Sequence, residues 1–308
     1  MTMTMLVFLG SLLAAMALGI PIAHSLIISG VALLIKMKMF DTQILASTLV
    51  DGADNFPLMA IAFFILAGEL MNAGGVSKRI IAFAIALVGH VRGGLGYVAI
   101  LASLIFSGLS GSAVADTAAL GAILIPIMEE AGYKRGHSAA LIASAGIIPP
   151  LMPLSVPMII FGVTGNVSIP KLFMSGIFPG LMLGLCLAAT WAWIARKEHF
   201  KVQPKKSFKE IMVATKDAVW AFVLPLIIIV GLRGGIFTPT EAASIAVFYA
   251  LFVGVFIYRE LKFSRITEVL VSAAKVTSVV MFLAATAMIS SWLIAVANIP
   301  AQLADMLA

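Results

Sequence analysis

Ser107, Ser110 and Ser112 are interleaved with Gly108 and Gly111 and followed by Asp116-Thr117, inside an otherwise apolar stretch. Hydroxyl and glycine carbonyl oxygens set this close together suit a hard cation such as Na⁺, by extension of the oxygen preference of calcium and magnesium. Serine and glycine also serve close helix packing, the alternative reading of the same residues. The flanks, 95–106 and 113–128, are apolar, and each falls short of the roughly 20 residues a bilayer crossing needs. Two half-length helices meeting at a Gly/Ser tip make a re-entrant hairpin. Irregular backbone at membrane depth is tolerated only where it lines a cavity or is buried in protein. A carboxylate just past such a tip is costly in lipid, which makes Asp116 a pathway residue.

A second constellation lies further along. Pro149, Pro150, Pro153 and Pro157 fall within nine residues, after Gly146 and around Ser155. Each proline removes a backbone donor and clashes with the preceding turn, so no regular helix forms there. The freed carbonyls can coordinate a cation, as in the unwound helices of transporters. A kink buried by neighbouring helices is the plainer alternative.

The elements that must position these groups are helices in lipid. The chain has 308 residues, 62% hydrophobic and 11% charged, against about 25% charged in soluble domains. This indicates an all-α, polytopic integral membrane protein. Cys186, the single cysteine, forms no intrachain disulfide and no metal cluster. The net charge of +6 does not imply nucleic acid, because the basic residues sit at segment ends. The N-terminus lacks a charged leader and cleavage site, so it reads as a retained membrane segment.

Apolar segments are expected at 4–18, 20–35, 56–73, 79–89, 95–106, 113–128, 138–163, 172–195, 218–232, 236–258 and 276–297. The polar, Lys/Arg-rich stretch 196–217 reads as a cytoplasmic loop. Tracing from it, with 79–89 lying in-plane, puts sixteen of the twenty basic residues inside and leaves Lys36, Lys38, Lys171 and Arg233 outside. The element order then repeats: a helix pair, an amphipathic stretch (40–51, then 263–272) and a span. Five crossings separate the repeat starts, which inverts the second repeat, the pattern of secondary transporters. The organisation expected is a first repeat over 1–195, the basic loop 196–217, and a second repeat over 218–308. That second repeat is incomplete, stopping before its own hairpin.

At this point the wording of the chain resembles a known family. The run 109–119 (Leu-Ser-Gly-Ser-Ala-Val-Ala-Asp-Thr-Ala-Ala), the Gly-Ile-Ile-Pro-Pro stretch at 146–150 and the run 235–243 resemble the large membrane subunit of tripartite ATP-independent periplasmic (TRAP) transporters. Asn72-Ala73-Gly74-Gly75 and the run 168–173 fit as well, and several segments resemble the branch handling diketogulonate and related sugar acids. The resemblance implies a Na⁺-driven, elevator-type importer of a small carboxylated solute in the bacterial inner membrane. Its implied partners are a small membrane subunit and a periplasmic solute-binding protein. It implies no enzymatic activity and no cofactor beyond Na⁺ as coupling ion. Carried over residue by residue, the Na⁺ site comprises Ser107, Ser110, Gly111 and Ser112 with Gly146 and Pro150. Asp116, Thr117 and Ser155 fall to the substrate cavity. The family usually reads Pro-Pro-Ser where this chain has Pro153-Leu154-Ser155. Its second hairpin would lie beyond residue 308.

Two competing classes remain at the sequence level. Gly108-Leu109-Ser110-Gly111 matches the nucleophile environment of rhomboid-type intramembrane serine proteases. Such a serine needs a base within hydrogen-bond reach, and His137 or His24 would have to supply it. A non-transporting membrane fragment is the other.

Overall fold

The computed structural model describes residues 3–109, 111–198 and 200–301. Every regular element among them is helical, as an apolar chain requires where backbone groups must be satisfied within a segment. The chain divides into two compact units, residues 1–58 with 275–308, and residues 59–274.

The first unit contains α1 (Met3–Ala17), α2 (Ile22–Lys36), α3 (Thr42–Ala53) and the C-terminal part of α13 (Phe263–Val296). Gly19 (φ +78°) and Pro21 separate α1 from α2. Leu33 and Leu34 of α2 pack with Phe8, Ile289 and Leu293 in the unit's core. A Cβ on Gly52 would stand 2.9 Å from Met288 Cβ, so α3 crosses α13 at van der Waals contact. Asp41 caps α3, its carboxylate accepting from the Gln43 N–H at 2.8 Å. His24 lies edge-on to Phe282, centroids 5.3 Å apart.

The second unit holds α4 (Met59–Ala73), α5 (Val76–Val88), α6 (Gly94–Phe106), α7 (Ala113–Glu130), α8 (Arg135–Ala145), α9 (Val156–Thr164), α10 (Ile169–Ala195), α11 (Phe208–Arg233) and α12 (Pro239–Phe252). It also holds the first turns of α13. Helix α4 packs along α12, and α6 contacts α5, α7, α8 and α10. Among the described residues, five helices are long and apolar enough to cross a membrane: 56–73, 169–195, 208–233, 239–257 and 263–296. Helices α8 and α9, bent by 41° about the proline-rich segment, are long and apolar enough only when taken together.

Two sequence expectations are corrected. Helix α11 starts at Phe208 rather than 218, which shortens the polar loop to 196–207. The reason is a capping box. The Glu210 carboxylate accepts from the Ser207 N–H at 2.7 Å, and the Ser207 side chain caps in return. The stretch 263–272 and the span 276–297 form one helix of 34 residues. No glycine or proline falls between Lys262 and Ile299, so nothing interrupts the ladder. Its counterpart in the first half is interrupted by Asp54, Asn55 and Pro57, and α3 stays separate from α4.

Candidate functional site: a hairpin tip against a broken helix

Helices α6 and α7 form a hairpin, because both outer ends meet one segment, 191–201. Trp191 donates its indole N–H to the Gly93 carbonyl at 2.8 Å. Arg92 donates to the carbonyls of Arg196 and Glu198. On the other arm, Lys201 N–H donates to the Ala131 carbonyl at 3.0 Å. Tyr133 stacks on Phe200 with centroids 3.9 Å apart, and Lys134 and His137 flank Glu198 at 3.5 and 3.2 Å. Burial pushes the Tyr133 phenol up to about 12, so it stays neutral inside this aromatic stack. Sequence reading missed this cluster, since its partners lie up to a hundred residues apart.

At the opposite end, α6 stops at Phe106 and Ser107 caps it, fully buried. The Ser107 hydroxyl donates back to the Leu104 carbonyl at 2.5 Å, leaving its lone pairs to another partner. Gly111 takes a left-handed conformation (φ +59°), and a Cβ there would overlap the Leu154 carbonyl and sit 2.9 Å from Ser155 Cα. Only glycine lets the tip backbone approach this closely. Ser112 then caps α7, accepting from the Ala115 N–H at 3.3 Å. Asp116 sits in the first turn of α7, 3% exposed. Ser110 lies outside the described residues.

The segment facing the tip is unwound. Helix α8 ends at Ala145, a short 3₁₀ turn covers Pro149–Leu151, and α9 starts at Val156. In an α-helix the carbonyls of Gly146 and Pro153 would accept from residues 150 and 157, but both are prolines and carry no N–H. Leu154 adopts φ +72°, a conformation costing a non-glycine residue about 1–2 kcal/mol. It is held there by burial at 1% exposure and by the tip pressed on its carbonyl. Ser155, buried, donates to the Pro150 carbonyl at 2.7 Å. A Cβ on Gly146 would overlap Thr117 Oγ1. On α10, Gly176 and Gly180 make room for the Leu151 carbonyl and the Met152 sulfur.

Gly111 thus meets Leu154 and Ser155, Thr117 meets Gly146, and Ser155 meets Pro150. The Ser107 and Ser112 hydroxyls are instead engaged with their own helices. Two helix C-termini (α6, α8) and two N-termini (α7, α9) end in this region. Partial negative charge at the former suits a cation, and partial positive charge at the latter suits a carboxylate.

Of the two bases that the protease reading could use, His137 is remote from the tip end of α7. His137 follows the far end of α7, whose 18 residues span about 27 Å at 1.5 Å per residue. His137 is also held by Glu198. Elsewhere, Glu241 is a cap, its carboxylate accepting from the Thr238 N–H and hydroxyl at 2.7 and 2.8 Å. Glu69 and Ser272 line a cavity of about 580 Å³ together with Asn72, Lys78 and Arg265.

The family model of the tripartite ATP-independent periplasmic transporter DctM component matches residues 9–308. The chain belongs to the TRAP large permease family. It is 54% identical over 305 residues to the 2,3-diketo-L-gulonate TRAP transporter large permease of Escherichia coli (strain K12), covering 99% of this chain and 72% of that protein. The sialic acid TRAP large permease of Vibrio cholerae is 40% identical, covering 93% and 67%. The C4-dicarboxylate TRAP large permease of Pseudomonas aeruginosa is 38% identical, covering 91% and 66%. This permease is therefore a multi-pass membrane protein of a transporter family.

Proposed function

We propose that this permease belongs to a Na⁺-coupled, binding-protein-dependent importer of a small carboxylated solute in the bacterial inner membrane. A sugar acid of the diketogulonate kind is the first candidate, since the diketogulonate permease is 54% identical. Its partners in this reading are a small membrane subunit and a periplasmic solute-binding protein. The observation that carries the proposal is the contact of the Gly111 backbone with Leu154 and Ser155. It brings a Ser/Gly tip onto a backbone whose carbonyls have lost their helical donors. The donors available are all oxygens, the set a hard cation prefers. Ser107, Gly111, Ser112, Gly146 and Pro150 would hold Na⁺ near the α6 and α8 C-termini, with Ser110 expected to join them from its place in the sequence. Thr117 and Ser155, beside the α7 and α9 N-termini, would meet the solute carboxylate, with Asp116 close by. All these residues fall in the 59–274 unit, so one compact unit would hold the whole site, as an elevator-type carrier requires.

The test is uptake in proteoliposomes containing the permease, a small TRAP membrane subunit and a periplasmic solute-binding protein. Uptake of diketogulonate should require an inward Na⁺ gradient, and Ser112→Ala should raise the Na⁺ concentration for half-maximal uptake about tenfold, the loss expected for one hydroxyl contact to a charged group. Equal uptake on a proton gradient without Na⁺ would refute the coupling. Unchanged Na⁺ dependence in Ser112→Ala and Gly146→Ala together would refute the site.

A further inference from the structure

The early start of α11 creates a cleft that the transport reading does not use. It lies between α5 and the first turns of α11 and has a volume of about 560 Å³. Its floor is apolar, formed by Ala82, Ile85 and Ala86 of α5 with Val213 and Ala214 of α11. Its rim carries Arg79, Lys206 and Lys209, with Lys205 and Lys216 adjacent in sequence. Two carboxylates also line it, Glu210 and Asp217. Glu210 is already engaged by the Ser207 N–H at 2.7 Å and the Lys206 ammonium at 3.0 Å. Arg79 is held by Glu260 at 2.8 Å and lies over the Tyr258 ring. Lys209 forms no ion pair among the described residues.

The setting favours an amphiphile. Helix α11 has 26 residues, about 39 Å at 1.5 Å per residue. That exceeds the hydrocarbon core of about 30 Å, and the uncharged run 218–232 leaves Lys209, Glu210, Lys216 and Asp217 in the first turns, which sets those turns at headgroup level. Phe208, 77% exposed, and Met212 and Val213, also exposed, share those turns with the lysines. Apolar side chains interleaved with basic ones mark a segment lying in an anionic interface. A free carboxylate or phosphate would gain the rim charges but would strand its hydration against the alanine, isoleucine and valine floor. A lipid satisfies both parts.

We infer that the α5–α11 cleft binds an anionic glycerophospholipid, with its phosphate on Lys206 and Lys209 and its first acyl carbons on Ala82, Ile85 and Val213. The inference does not depend on Na⁺ coupling or on the solute.

Native mass spectrometry of the purified permease tests it, with phosphatidylglycerol and phosphatidylcholine of identical acyl chains added at equal concentration. Phosphatidylglycerol should be retained at least about fivefold better, the preference one lysine near a charged headgroup confers. Lys206→Gln/Lys209→Gln should bring the ratio close to one. Ala82→Trp, which fills the exposed end of the floor and keeps every charge, should lower phosphatidylglycerol retention by a similar factor. Lys197→Gln/Lys201→Gln, on the same basic stretch but away from the cleft, should leave the ratio unchanged. Equal retention of the two lipids by the parent protein would overturn the inference. So would a ratio unmoved by both cleft variants, a ratio lost equally in the Lys197/Lys201 variant, or displacement of the lipid by glycerol phosphate without acyl chains.

Discussion

Gly111 illustrates how a single residue type sets the candidate site. Its left-handed φ and the Leu154 carbonyl against it leave no room for a Cβ. Gly111→Ala should therefore separate tip from broken helix, abolish uptake and lower stability by about 2 kcal/mol or more, combining backbone strain with overpacking. Uptake assays with a thermal unfolding series measure both. Normal uptake in Gly111→Ala would mean that this contact has no part in transport. The Ser/Gly tip and the prolines were legible in the sequence because each changes what the backbone can do, whatever surrounds it. Leu154 was not legible as a strained position. Leucine in a left-handed conformation is imposed by burial and by the tip, neither of which local sequence encodes.

Elements differ in how they are terminated, and that decided which boundaries could be read. Helix α12 begins at a Thr-Pro-x-Glu capping box, and α11 begins at a Ser-x-x-Glu box that the surrounding lysines hid. Removing the second box by Ser207→Ala should cost about 1 kcal/mol. Hydrogen exchange should speed up over 208–211 and stay unchanged beyond the next turns. If exchange does not change there, the helix does not depend on its cap. The base of the α6–α7 hairpin rests on Trp191, which packs against Gly96 so closely that a Cβ would overlap its ring. Gly96→Ala should cost about 1–3 kcal/mol, read as a lowered melting temperature in detergent. Trp191→Phe should cost about 1 kcal/mol through loss of the bond to the Gly93 carbonyl. A Gly96→Ala protein as stable as its parent would show that this face of α6 is not packed as described.

For the whole molecule, charge bias and helix length act together. Sixteen of the twenty basic residues fall on one side of the sequence-derived trace, and five helices among the described residues are long and apolar enough to cross between its sides. Single cysteines replacing Lys205 and Gly132 should label from the cytoplasmic side, and one replacing Lys38 from the periplasmic side, using a membrane-impermeant maleimide on right-side-out cells and inverted vesicles. Cys186 is exposed on α10, so it is first replaced by serine. Labelling of positions 132 and 205 from opposite sides would break the hairpin assignment, because Ala131 is bonded to Lys201.

The apolar composition was sufficient by itself to determine an all-helical membrane protein, and the Gly/Ser interruption and the proline density located the break between α6 and α7 and the one between α8 and α9. These are properties of the backbone and of its transfer into lipid, and they act over a few residues. The resemblance carried by 109–119 and 146–150 already pointed to the family. The tertiary structure alone decided that Gly111 rests on Leu154 and Ser155, and that Thr117 rests on Gly146. It alone decided that the Arg92, Lys134, His137 and Glu198 cluster closes the base of the hairpin. It also divided the chain at 58/59 and 274/275, the second point inside the unbroken α13. These outcomes depend on side-chain volumes meeting across long separations in the chain, where packing at contact distance selects one partner from many of similar hydrophobicity.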